Sequence, residues 1–177
     1  MTMPAIDQGV NFDRYMLVPR TLIFIVRGTS ILLLKGSIGK RLWSGLYNGI
    51  GGHIEEGEDI LTAAQRELFE ETGLVSDDLY LCGVDIVNTG KNPGVCIYIF
   101  KGTHARGELS NSQEGSLEWI SCTDLNSVPL VPDLLVFLPR ILDMKPGDVP
   151  FSAYSDYDDN GSIQVRFGKP EKGAAQK

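Results

Sequence analysis

The stretch GGHIEEGEDILTAAQRELFEETGL, residues 51 to 74, constrains the fold more than any other part of the chain. Asp59 is a natural helix N-cap and Gly73 a natural left-handed stop, so about Ile60 to Thr72 reads as one helix with Leu61, Ala64 and Leu68 as its apolar stripe. On that helix Glu67 neighbours Glu70 and Glu71 at i+3 and i+4, which puts three carboxylates on one face. Each such like-charge pair costs about 0.2–0.5 kcal/mol in an isolated helix. The cluster also lies in the last two turns, where the helix dipole already opposes negative charge. A folded chain keeps such a cluster as a solvated acidic face or as a seat for a cation. The surroundings favour the cation: Arg66 precedes the cluster, Glu58 sits near the helix start, and Gly51-Gly52 lies just ahead. Carboxylates with a backbone carbonyl make an oxygen-rich site for a hard ion such as Mg²⁺ or Mn²⁺.

The rest of the chain supplies the frame for this helix. RTLIFIV and SILLLK read as a β-hairpin, or a strand with a tight bend, around Arg27-Gly28-Thr29, and GSIGKRLWSGLYNGIGGH as a glycine-rich loop and short strand leading into the helix. LYLCGVDIVN, GVCIYIFKG and SLEWIS read as further strands, the first two joined by TGKNPG. Pro129 to Leu142 has the apolar density of a packing helix, with Pro132 and Pro139 as points where it breaks or bends. Asn160-Gly161 suits a type I′ turn between two last strands, and GKPEKGAAQK a loose tail over 168–177. The expectation is one α/β domain spanning residues 1–177, with a mixed sheet and at least two helices. Its 177 residues suffice for one core, and its formal charge of −7 excludes a broad surface for duplex nucleic acid or an anionic membrane. No apolar run is long enough to span a bilayer. Cys82, Cys96 and Cys122 are odd in number and show no CxxC spacing, so they read as reduced thiols in a cytoplasmic protein.

Gly52, Glu58, Arg66-Glu67-Leu68, Glu70-Glu71 and Gly73-Leu74 stand at the offsets of a known signature. The stretch resembles the box of the MutT/Nudix hydrolases at every specified position. WSGLYNGIGGH, PRTLIFIV and PFSAYSDYD extend the likeness to the bacterial branch often labelled 8-oxo-dGTP diphosphatase. The resemblance implies a Nudix-type α/β/α sandwich around a mixed central sheet. It also implies Mg²⁺-dependent cleavage, with Mn²⁺ able to substitute, of a nucleoside diphosphate linked to another group. The chosen substrate is a nucleoside triphosphate, with an oxidised base or not, giving the monophosphate and pyrophosphate. The alternative is ADP-ribose, another nucleotide sugar or a dinucleotide. A sensor domain that binds without cleaving is expected to lose box glutamates, which this chain keeps, and an isoprenoid-type isomerase lacks its Cys, His and Glu set here.

Within that resemblance Glu67, Glu70 and Glu71 bind the metal with the help of the Gly52 carbonyl, Arg66 orients the glutamates, and Glu58 supports the network. Glu67 is the first choice of general base. Glu114 is the second, as a base or an additional metal ligand, and reads equally well as a plain loop residue. Lys40 and Arg41 are placed to meet the substrate phosphates or to be solvated loop cations. Asn48 and Asp133 occupy base-reading positions, and an amide at Asn48 offers a purine edge both a donor and an acceptor. Val131 stands where a base-stacking aromatic is expected and Leu134 where a second carboxylate is. Trp43 and Tyr47 remain as stacking candidates or core residues. DYDDNG imitates half of a calcium loop, but Phe167 replaces the closing glutamate and the segment reads as a hairpin turn. The implied partner is a nucleoside-diphosphate-containing small molecule, and a homodimer is one option for assembly.

Overall fold

The structure, a computed structural model, describes residues 9, 11–37, 43–110 and 115–168. Among these residues ten strands and two α-helices follow in the order β1 (Leu17–Arg27), β2 (Ser30–Gly36), β3 (Tyr47–Asn48), α1 (Ile60–Thr72), β4 (Val75–Ser76), β5 (Tyr80–Val87), β6 (Gly94–Gly102), β7 (Ala105–Arg106), β8 (Gly115–Ser121), α2 (Leu134–Asp143), β9 (Phe151–Tyr157) and β10 (Ile163–Phe167), with a 3-10 turn at Leu125–Ser127. Eight of the strands form one sheet, β10-β9-β5-β6-β1-β2-β3, with β8 also paired to β2, and β4 pairs with β7 apart from it. The sheet is mixed: β1 runs parallel to β6 and β5 parallel to β9, while the other pairs are antiparallel.

Strand alternation divides the core between two faces. From β1, Ile23 and Ile25 pack with Leu32, Ile50, Ala64 and Leu68 under α1. Phe24, between them, points the other way and joins Leu33, Leu134, Phe137 and Ile141 under α2. One helix on each side of a mixed sheet is the expected α/β/α sandwich. Helix α1 has the expected ends: Asp59 accepts the Leu61 and Thr62 amides, and Gly73 closes it at φ 74°. Its inner face differs from the expected stripe. Ala63, Ala64, Leu68, Glu71 and Thr72 are buried, and Leu61 is exposed. The sheet takes the line through Ala64, Leu68 and Glu71; Leu61 stands only about 60° from Ala64 and about 20° from Leu68 around the helix, but in its first turn, where it is exposed.

Helix α2 starts five residues later than the apolar run. Before it, Tyr47 donates its amide to Pro129 and the Val131 amide donates to Tyr47, a strand-like contact that leads directly to Asp133. Pro139 lies within the helix. The α2 C-terminus is tied down by Lys101, whose buried ammonium donates to the carbonyls of Ile141, Leu142 and Met144 at 2.8–3.0 Å. The last hairpin is not a type I′ turn. Its loop spans residues 158–162, where Asp158 Oδ1 accepts the amides of Asn160 and Ser162, and Gly161 has a positive φ but Asn160 does not. The Asp158 side chain closes the turn, and that explains the calcium-like spacing. The suggested tail over 169–177 lies outside the described residues.

Candidate active site

Residues 50–54 run antiparallel to β1 and bring two glycines against α1. Ile50 exchanges both backbone hydrogen bonds with Ile23, and Gly52 O accepts the Thr21 amide at 2.9 Å. The Gly51 amide donates to Glu71 Oε2 at 3.1 Å, tying the end of α1 to this strand. Gly51 has φ 146°, and a Cβ there would meet the Thr21 backbone. At Gly52 the occupant is different: a Cβ would fall on the Glu67 carboxylate, 2.6 Å from Cδ and 2.7 Å from Oε2. The missing side chain at Gly52 is therefore the space that Glu67 fills.

Arg66 organises the acidic face. Its guanidinium donates to Glu58 Oε1 at 2.7 Å, Glu58 Oε2 at 2.9 Å, Glu67 Oε1 at 2.9 Å, Glu70 Oε2 at 3.1 Å and the His53 carbonyl at 3.0 Å. Such a forked cation holds several carboxylates in fixed geometry, which a lysine cannot do. The Arg66 hydrogen bonds hold Glu58 at about 2, well below the ordinary carboxylate range, aided by the Glu55 amide. The three glutamates of the helix thus have separate places. Glu70 is more than half exposed at the rim, Glu67 is largely covered, and buried Glu71 faces the glycine strand.

Among the described residues, no three carboxylate, imidazole or thiol groups already converge as a metal cage. Nor is the Gly52 carbonyl free, since Thr21 uses one of its two lone pairs. The donor set nevertheless fits a hard divalent cation: it consists only of carboxylate and carbonyl oxygens, and Gly52 leaves room for Glu67 Oε1 and Oε2 beside the strand. Glu67 Oε2 makes no hydrogen bond among the described residues.

A cleft of about 340 Å³ opens beside this face and joins Gly51 and Glu71 to Asn48 and Asp133. The structure therefore brings both expected base-reading residues into one cavity with part of the acidic helix. Asn48 Oδ1 accepts the Gly49 amide at 2.8 Å. Asp133 stands at the N-cap position of α2 but makes no capping hydrogen bond, and its Oδ1 is buried without a partner. Burial raises its carboxyl above the ordinary range. Thr21 Oγ1, which also belongs to a residue lining the cleft, is likewise buried and unpartnered. Native proteins rarely leave such groups unpaired without a ligand or water to meet them.

The two aromatic candidates separate. Trp43 lines the cleft, whereas Tyr47 is buried in the core beside α2 and its hydroxyl donates to Glu118 Oε2 at 2.6 Å. Val131 and Leu134 are also buried, Leu134 entirely. Lys40, Arg41 and Glu114 lie outside the described residues. Sequence reading missed Asp85 on β5. It is 1% exposed, accepts the Ser155 hydroxyl at 2.8 Å through Oδ2, and leaves Oδ1 without a partner. The available signal was a lone acid inside the apolar run CGVDIV.

The chain matches the NUDIX domain model over residues 16–141. Over 126 residues it is 31% identical to the oxidized purine nucleoside triphosphate hydrolase of Mus musculus, covering 71% of this chain and 80% of that protein. A crystal structure described as the mMutator MutT protein of Bacillus halodurans superposes with a TM-score of 0.74 at 26% identity, covering 87% of this chain and all of that one. The NUDIX domain of Shewanella oneidensis NrtR, complexed with ADP ribose, shares the fold at a TM-score of 0.61 and 15% identity, over 78% of this chain and 94% of that one.

Proposed function

Because this chain belongs to the Nudix family and is a hydrolase of phosphoric anhydride bonds, we propose that it cleaves purine nucleoside triphosphates, oxidised ones among them, to the monophosphate and pyrophosphate. The observation that carries this reading is the cleft itself. Its lining includes Glu71 and Gly51 of the acidic helix and its strand together with Asn48 and Asp133, whose Oδ1 is buried without a partner. A nucleotide needs both kinds of group, carboxylates for a metal-bound phosphate chain and an amide and a carboxyl for a base edge. The relationship to the mouse purine triphosphate hydrolase supports the same substrate class.

Mg²⁺, with Mn²⁺ as substitute, is the proposed cofactor, held by Glu67, Glu70, Glu71 and the second lone pair of the Gly52 carbonyl. When bound, such an ion neutralises phosphate charge and lowers the pKa of its water. The protein's own groups then orient and accept. Arg66 keeps the Glu67 carboxylate turned toward Gly52, and Glu67 Oε2 is the first choice to take the proton of the attacking water. Asn48 offers its amide N–H to the base, since its oxygen is engaged by Gly49. Asp133 offers a carboxyl in a poorly solvated setting, where a hydrogen bond discriminates strongly. The partner is thus a nucleotide-sized small molecule, and the three free thiols support a cytoplasmic setting.

The test is a Mg²⁺-dependent hydrolysis panel with identified products, comprising canonical and 8-oxo purine triphosphates, pyrimidine triphosphates, dinucleoside polyphosphates, nucleotide sugars and ADP-ribose. The expected result is monophosphate plus pyrophosphate from the purine triphosphates. Activity confined to ADP-ribose would overturn the assignment.

A further inference from the structure

Asp85 lies beneath the cleft on the sheet face that carries its floor. Val87, two residues along the same strand, lines the cleft, as does Ile97, the Cα partner of Asp85 on β6. The Asp85 side chain is buried and its Oδ1 has no hydrogen-bond partner. Asp133 at the start of α2 shares part of this deficit: it lines the cleft with a buried and unpartnered Oδ1, although the Asp133 and Leu134 amides act on its carboxyl. Its backbone is helical, φ −69° and ψ −26°, which turns the carboxyl away from the amides that an extended N-cap residue would meet. Among the described residues neither carboxyl is ion-paired. The groups facing Asp85 are Asp133 at the start of α2 and, on β9, Ser155 and the Tyr157 phenol, whereas the Cys96 thiol, opposite Ile86, lies on the other face of the sheet. Arg20 lines the same cleft but bridges to neither acid.

We propose that Asp85 is a positioning residue for base recognition, acting through Asp133: it decides whether the two acids together offer the base a hydrogen-bond donor as well as acceptors. The inference rests on the reading of Asp133 as a base contact. A buried acid without a cation ionises at a cost, and the charge of Asp133 adds to that cost at Asp85. Burial, with a smaller contribution from Asp133, pushes Asp85 up to about 6, against the opposing Ser155 hydrogen bond. Below that pH the pair holds a proton and can both donate and accept, which matches a purine edge with a donor beside an acceptor. Above it Asp85 only accepts and adds a buried charge beside Asp133.

The experiment follows KM and kcat for 8-oxo-dGTP and dGTP from pH 5 to 8.5. In the wild type, KM is expected to rise about tenfold through pH 6, the size of one lost charge-assisted hydrogen bond, while kcat does not follow it. Asp85→Asn carries a permanent donor and removes that rise, keeping KM low at pH 8. Ser155→Ala removes a hydrogen bond to the carboxylate and moves the inflection to higher pH, a test that leaves Asp85 in place. Asp133→Ala raises KM for both nucleotides. A KM that stays flat with pH in the wild type, or inflects identically in Asp85→Asn and Ser155→Ala, overturns the role of Asp85 if Asp133→Ala still raises KM. An unchanged KM in Asp133→Ala overturns the underlying reading of Asp133.

Discussion

Replacing Gly52 with alanine separates what the glycine does for the fold from what it does for the reaction. Its backbone is not in the left-handed region, so alanine meets no conformational penalty there. The new methyl would instead meet the Glu67 carboxylate, at 2.6 Å from Cδ and 2.7 Å from Oε2. Its nearest atom would be Glu67 Oε1, and to reach an ordinary contact near 3.4 Å the carboxylate must retreat by about 1 Å. Glu67 is the free end of a long side chain, so the retreat costs little, within about 1 kcal/mol of stability. The reaction pays more, because the same carboxylate is aligned by Arg66 Nη1 at 2.9 Å, and a displacement near 1 Å can cost about a hundredfold in rate. The expected result is a kcat lower by about two orders of magnitude, with KM and the urea midpoint nearly unchanged. Gly51→Ala is the contrast. Its φ is 146° and the obstacle is the Thr21 backbone, so it should lose at least about 2 kcal/mol of stability. Full turnover in Gly52→Ala would refute the claim that this glycine makes room for Glu67.

Two further expectations concern charges outside the reaction. Lys101→Met leaves three carbonyls at the end of α2 without their donor and should lower stability by about 2–4 kcal/mol, read from urea unfolding. Glu58 is held at about 2 by Arg66, below its usual 4.5, so its contribution is complete above pH 4.5 and is lost as pH falls toward 2. Wild-type protein should therefore lose stability more steeply than Glu58→Gln between pH 4.5 and 2.5, as followed by urea midpoints across that range.

The parts legible in the sequence were those whose cause is local. Asp59, Gly73 and the helix between them follow from capping chemistry, and the offsets from Gly52 to Leu74 carry the family. The two faces of β1 follow from alternation. What escaped reading depends on tertiary pairing. The late start of α2 arises because Pro129 to Val131 pair with Tyr47, thus consuming backbone groups that a helix would need. The burial of Leu134 and the exposure of Leu61 depend on which turns of each helix the rest of the fold covers. Tyr47 looked equivalent to Trp43 until β3 turned it into the core. Asp85 could be seen only as an oddity in an apolar strand, because the cleft above it is assembled from β1, β3, β5, β6 and the start of α2.

The most direct test of the account is the turnover of purine triphosphate by Glu67→Gln at saturating Mg²⁺. The change keeps the side chain's size and its place beside Gly52 but removes the charge that Arg66 aligns. The account predicts that hydrolysis falls by at least about a hundredfold, with the unfolding midpoint close to that of the wild type. Turnover equal to the wild type would contradict the assignment of the acidic helix as the catalytic face.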